Sequence, residues 1–276
     1  MSANHGSADW PQSANGGWLE PADGRSPFWS CVPLVPNGAT VSKLAIAGPS
    51  NDATGMATFV LVHGGYMDSA TWNQLTHSND YPKGERLGGS CWRLTETLLL
   101  NAGHSVYAPD LLDEYSHSLT EHVNQVCDII SQEDLHGIVL VGHSYGGMVI
   151  TGIAAQVPER IRQMVYLEAN VPDPGQSLFD ILGLAGFEPE KVIEGTPSAY
   201  VEKISYNPEA LERLDRSYIR CTESDFLSVT EIMVRKIDFD RGDWKYFELP
   251  TSHSAQVTMP AGLNDILQSL IVQQSK

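Results

Sequence analysis

The chain has 276 residues, 42% hydrophobic and 18% charged, enough for one sizeable α/β core. Its net charge of −17 argues against nucleic acid and anionic membranes as partners. The four cysteines are widely spaced and form no Cys/His cluster, no apolar run approaches the ~18 residues of a membrane span, and no signal-peptide pattern opens the chain. Free thiols, no bound metal and a cytoplasmic location are therefore the expectations.

Residues 1–28 are rich in Gly, Ser, Asn, Asp and Pro and read as a poorly ordered or surface-draped arm. Two β-prone runs follow, 32–35 and 41–47, separated by Pro36-Asn37-Gly38, which predicts a hairpin. Residues 1–57 are therefore expected to form an N-terminal arm and hairpin, and 58–276 the main domain, with the cap insertion at about 171–216. Thr58-Phe59-Val60-Leu61-Val62 predicts a buried strand running into His63-Gly64-Gly65-Tyr66. Glycines at a strand's end let backbone N–H groups point into a cavity, as half of an oxyanion hole requires.

Residues 67–90 are polar and irregular and predict a long loop. Its apolar residues, with Tyr66 at its root and Trp72 within it, predict a lid or substrate-pocket wall. A helix is predicted over 92–102, where Leu94, Leu98 and Leu99 share a face, and Gly103 closes it. A strand at 106–108 and a helix over 122–130 come next.

Ile138-Val139-Leu140-Val141 is a run of four branched apolar residues ending in Gly142-His143-Ser144-Tyr145-Gly146, with a helical segment behind it. Strand, G-x-S-x-G and helix together make a nucleophile elbow, in which a tight turn holds the serine Oγ above the sheet. Gly142 and Gly146 are expected because side chains there would collide across the turn.

Another strand, 164–167, ends at Glu168. Residues 171–216 break the α/β rhythm with several Pro and Gly and two short helical pieces, and read as a small cap. A strand at 217–221 leads to the acidic turn Thr222-Glu223-Ser224-Asp225 and a helix over 226–236. The last strand, 244–249, precedes Pro250-Thr251-Ser252-His253-Ser254, and a helix over 262–272 closes the chain. The alternation implies one open, mostly parallel sheet with helices on both faces.

Serine needs a base to take its proton and a third group to hold the base. Carboxyl-side strand ends gather in one crevice, so distant loops can meet there. Ser144 is the nucleophile candidate and His253 the base candidate. For the acid, Asp225 heads the candidates, with Glu223 and Glu168 as alternatives, because all three fit the chain order Ser…Asp/Glu…His. The backbone N–H groups of Gly65 and Tyr145 are the candidate oxyanion hole.

Several blocks resemble the α/β-hydrolase superfamily: Phe59 to Gly65, Gly103 to Leu111, Val139 to Met148, Val165 to Pro172, and Leu249 to His253. Within it, the chain is similar to a branch of small carboxylesterases that includes plant methyl-ester esterases, pyrethroid-type bacterial esterases and the α/β-fold hydroxynitrile lyases, over roughly residues 58–272. The resemblance implies an α/β-hydrolase fold, no cofactor, a Ser-His-Asp triad on Ser144, His253 and Asp225, and a small-molecule ester or lactone as substrate. A lyase or a non-catalytic ligand-binding protein on the same fold are the alternatives, and a homodimer stays open. The chain departs from the family in its N-terminal arm, in the expanded 67–90 segment, and in Ser254, where the lyases carry a lysine after the histidine.

Overall fold

The structure, a computed structural model, describes residues 55–65, 67–193 and 195–272. The N-terminal arm and the hairpin expected at 32–35 and 41–47 lie outside them. In chain order the elements are β1 (Thr58–Val62), β2 (Met67–Asp68), α1 (Ser69–Thr76), β3 (Arg86–Leu87), α2 (Arg93–Asn101), β4 (Ser105–Tyr107), α3 (Leu119–Gln132), β5 (Ile138–His143) and α4 (Gly146–Gln156). There follow β6 (Ile161–Leu167), α5 (Leu178–Leu184), α6 (Pro189–Val192), α7 (Ser198–Val201), β7 (Asp215–Cys221), α8 (Leu227–Lys236), β8 (Trp244–Leu249), α9 (Ala255–Thr258) and α10 (Pro260–Val272).

Six strands form one sheet in the order β4-β1-β5-β6-β7-β8, and every neighbouring pair is parallel. Parallel strands are covered on both faces, which is why β1 and β5 are apolar without alternation and buried throughout. Period-2 geometry still divides their side chains between two cores. Val60, Val62, Ile138 and Leu140 pack with α3, α4 and α8. Phe59, Leu61, Val139 and Val141 pack on the other face with Leu99, Leu263 and Leu267. Helix α3 buries Leu119, Val123, Val126 and Ile130 along one stripe and starts at a capping box made by Ser118 and Glu121.

The chain moves outward from β1 to β4, then returns to the other side of β1 to lay down β5. The strand order therefore reverses between β1 and β5, and a crevice opens at their carboxyl ends. The register sets Val62 beside Gly142, His143 beside Leu167, Leu167 beside Ile219, and Cys221 beside Leu249. The residues after these strand ends are His63, Ser144, Glu168, Thr222 and Pro250.

Residues 67–90 are not the irregular loop that their composition predicts. They hold helix α1, whose N-cap Asp68 accepts a bond from the Thr71 N–H at 2.7 Å, and a short antiparallel β2–β3 pair. Trp72 on α1 has no exposed surface; its ring meets Tyr81 edge-on, and the Arg93 guanidinium lies over both rings. Arg86 on β3 forks onto Asp113 and Glu114, joining the segment to the β4–α3 connection. This insertion is part of the core, and shortening it would remove core side chains.

Candidate active site

Ser144 has φ of +54°, a left-handed conformation that is rare for a residue with a side chain. The turn is held by backbone bonds: the Ser144 N–H donates to the Leu167 carbonyl, and the Ser144 carbonyl accepts from Gly147 and Asn170. A Cβ on Gly142 would lie 2.6 Å from the Gly146 carbonyl oxygen, so a side chain there would close the turn to the chain that follows. Gly64 approaches as tightly: a Cβ on it would sit 2.7 Å from the Ser144 Cβ. The loop after β1 therefore lies directly against the serine.

Glu168 also adopts a positive φ, +46°, immediately after β6. Its side chain is fully buried, and one carboxylate oxygen, Oε2, accepts from the Cys221 N–H at 2.7 Å. The other, Oε1, faces His253 Nδ1 at 4.0 Å. Neither of these facing atoms has a hydrogen-bond partner among the described residues. The gap is about an ångström longer than a hydrogen bond.

The acidic turn after β7 is arranged otherwise. Its Thr222 and Glu223 N–H groups donate to the Leu249 and Thr251 carbonyls, binding the β7 exit to the β8 exit. Ser224 is buried, while Glu223 and Asp225 are exposed. Neither carboxylate makes a hydrogen bond or ion pair with a described residue. Of the three candidate acids, the structure brings Glu168 to His253 and turns Asp225 and Glu223 to solvent.

His253 is held from two sides. Its backbone carbonyl accepts from His143 Nε2 at 2.9 Å, and the two imidazole rings are 4.7 Å apart. His143 Nδ1 then faces the Gln256 amide nitrogen at 3.4 Å, which makes His143 the neutral Nε2–H tautomer. Burial, reinforced by the nearby His253, holds its pKa well below the usual histidine value. The Phe226 ring lies against His253 on another side, with centroids 4.6 Å apart. His143, the middle residue of the elbow motif beside the serine, thus supports the loop that carries the candidate base.

The Tyr145 side chain is buried, and its hydroxyl donates to His122 Nδ1 at 2.9 Å, while His122 Nε2 donates to the Leu112 carbonyl. Its ring packs on Tyr200 of α7. Only the Tyr145 backbone N–H is left to the serine's surroundings. Gly65 is partly exposed at the turn after β1, and Tyr66 lies outside the described residues. Trp72 has no solvent-accessible surface and so lines no open pocket. His143, as the x of the elbow motif, is expected to point into supporting structure, and it does; His63 and Gln256 carry no obvious sequence signal of a supporting role, beyond the position of His63 at a strand end.

Cys91, Cys127 and Cys221 are free thiols. Among the described residues, no group of three or more His, Cys, Asp or Glu side chains is arranged to hold a metal ion. Nor is any helix among them long and apolar enough to cross a membrane.

A family profile described as "Alpha/beta hydrolase family" matches residues 59–259, most of the described chain and the whole of the elbow and histidine regions. The chain belongs to the α/β-hydrolase family. Among the relatives of this chain, a carbendazim hydrolyzing esterase from Nocardioides sp. (strain SG-4G) is 39% identical over 135 residues, 46% of this chain and 48% of that protein. Polyneuridine aldehyde esterase from Rauvolfia serpentina is 32% identical over 131 residues, 44% of this chain and 41% of that one. The chain thus spans about half the length of the curated relatives it matches. Among solved structures, a pyrethroid hydrolase from Sphingobium faniae JZ-2 superposes with a TM-score of 0.58 at 18% identity, covering 80% of this chain and 99% of that one. At that identity the likeness shows the fold alone.

Proposed function

We propose that this α/β-hydrolase cleaves a carboxylic ester of a small or medium, mostly apolar molecule, with Ser144 as nucleophile, His253 as base and Glu168 as the acid. The observation that carries the reading is the strained Ser144 turn set in the same crevice as the facing pair of Glu168 Oε1 and His253 Nδ1, 4.0 Å apart. The esterase relatives support the ester as substrate class.

In this reading, Ser144 Oγ attacks the ester carbonyl while His253 Nε2 takes its proton. Glu168 holds the imidazole in the Nδ1–H tautomer and stabilises the imidazolium. The N–H groups of Gly65 and Tyr145 receive the oxyanion. His253 then protonates the departing alcohol, and water, deprotonated by His253, releases the acid from Ser144. Catalytic hydrogen bonds are often long in an unliganded site and tighten on binding, so the 4.0 Å separation is compatible with this role.

Residues 171–216 form the cap in this reading. In support, Tyr200 packs on Tyr145, and Phe187 lies near Phe226, which covers His253. Aromatic rings beside the base favour an apolar acyl or alcohol group.

The test is a fluorophosphonate serine probe together with p-nitrophenyl esters of graded chain length, aryl methyl esters and lactones. Labelling at Ser144 with ester turnover, both lost in Ser144→Ala, is the expected result. Activity in Ser144→Ala above roughly a tenth of wild type would remove Ser144 from the reaction.

A further inference from the structure

The peptide between Gly64 and Gly65 is flanked by two glycines, and little in its own chemistry fixes which way it faces. Glycine on both sides leaves the plane free to rotate, because no Cβ restricts the adjoining dihedrals. The candidate oxyanion hole nevertheless needs the Gly65 N–H on the serine's side. If the plane turned over, a carbonyl oxygen would meet the oxyanion instead.

The structure contains a device that prevents this. His63 Nδ1 lies 2.7 Å from the Gly64 carbonyl oxygen, and the Leu111 N–H donates to His63 Nε2 at 3.0 Å. A carbonyl oxygen only accepts and an amide N–H only donates. The two contacts together therefore require a neutral imidazole with its proton on Nδ1. His63 is 1% exposed, and burial lowers its pKa to about 4, so this form persists at neutral pH.

A trans peptide sets its N–H antiparallel to its C=O, and the described residues contain no cis peptide. With the Gly64 carbonyl turned toward the buried imidazole, the Gly65 N–H points the opposite way. His63 and Gly64 are buried, whereas Gly65 and Ser144 are both partly exposed. Gly64 itself borders the serine, since a Cβ on it would lie 2.7 Å from the Ser144 Cβ. The N–H thus points away from the buried imidazole, from a loop that borders the serine.

We infer that His63 is a positioning residue for the oxyanion hole: its Nδ1–H holds the Gly64 carbonyl and so presents the Gly65 N–H to the tetrahedral intermediate formed at Ser144. The inference rests on the ester-hydrolase reading above. Leu111, after β4, acts through the same ring by holding the tautomer. The Gly65 N–H that His63 presents meets full negative charge only in the transition state, so the loss falls on kcat far more than on KM.

The test compares wild type, His63→Leu and His63→Asn. Asparagine places an amide donor near the Nδ1 position, whereas leucine has none. Steady-state kinetics on a p-nitrophenyl ester are read beside the inhibition constant of an aryl trifluoromethyl ketone, which adds to the serine as an oxyanion. His63→Leu should lower kcat and weaken the ketone by about 10²-fold each, the loss typical of one oxyanion donor, with KM within about threefold. His63→Asn should recover about tenfold or more of both losses. A folded His63→Leu protein with ketone affinity within threefold of wild type overturns the inference, as does an asparagine variant no better than leucine.

Should the leucine variant not fold, a crystal structure of the wild-type ketone adduct decides. The adduct oxygen is expected about 2.7–3.1 Å from the Gly65 nitrogen, with the Gly64 carbonyl still on His63. An adduct oxygen away from that N–H overturns the inference. Wild-type protein that turns over no ester and binds no ketone defeats the hydrolase reading and this inference with it. Ester turnover with the Gly65 N–H turned away defeats the inference alone.

Discussion

Replacing Glu168 by glutamine tests it against Asp225 as the acid with almost no change in shape. The side chain is fully buried, and Oε2 already accepts from the Cys221 N–H. A glutamine that keeps this bond must turn its NH2 group toward His253 Nδ1. That group donates, so it selects the imidazole tautomer with Nδ1 bare and the proton on Nε2. An imidazole in this state has no lone pair to offer Ser144. The opposite amide orientation places NH2 against the Cys221 N–H, donor against donor. By analogy with amide-for-acid exchange in Ser-His-Asp hydrolases, kcat should fall ~10³- to 10⁴-fold, or about 4 to 5.5 kcal/mol in activation free energy. Thermal stability should be retained, because the change removes a buried charge rather than stranding one. Asp225→Asn, at an exposed carboxylate, should leave kcat within about twofold. Initial rates on a p-nitrophenyl ester, normalised to folded protein by circular dichroism, provide the comparison. Glu168→Gln with more than a tenth of wild-type kcat, or a larger loss in Asp225→Asn, would refute the assignment.

Burial holds His63 and His122 near a pKa of about 4, below the usual 6.5, so both are neutral when folded and gain protons on unfolding in mild acid. Their stabilisation is complete above about pH 6.5 and is lost as pH falls toward 4, about 3 kcal/mol for each. Urea unfolding at pH 7 and pH 5 should show a clear drop, and equal stability at the two values contradicts this. His143→Leu removes the bond to the His253 carbonyl and should lower kcat on the order of 10²-fold with little change in KM, by misplacing the imidazole; an unchanged kcat in steady-state assays would confine His143 to packing. Trp72→Ala should cost about 3–5 kcal/mol in urea unfolding, as for other buried aromatics, and a loss below about 1 kcal/mol would show that the insertion is not part of the core.

Much of this was legible in the residues. Branched apolar runs before His63 and Gly142 mark β1 and β5, because only strands buried on both faces tolerate such runs. The glycines around Ser144 mark a turn that no side chain could enter. For the acid, the sequence reading put Asp225 first, whereas the geometry favours Glu168. Glu168 and Asp225 both follow a strand and both lie between Ser144 and His253 in the chain. Burial separates them: Glu168 directly follows the apolar end of β6 and is enclosed with it, whereas Ser224 takes the inward position in its turn and Asp225 is left outside. The insertion misled for a related reason. Lys83-Gly84-Glu85 and Gly88-Gly89 give the segment a loop's composition, but Asp68 caps a helix whose Trp72 and Leu75 share one face. Two apolar residues three apart are a faint signal until the surface they cover is known.

The central claim is an acyl group carried on Ser144, and rapid quenching after mixing with a p-nitrophenyl ester tests it most directly. The account predicts a burst approaching one p-nitrophenolate per chain when deacylation is slow, with the acyl mass on the peptide containing Ser144. Ester turnover with Ser144 never acylated, across substrates of graded chain length and at acid quench times shorter than one turnover, would contradict it.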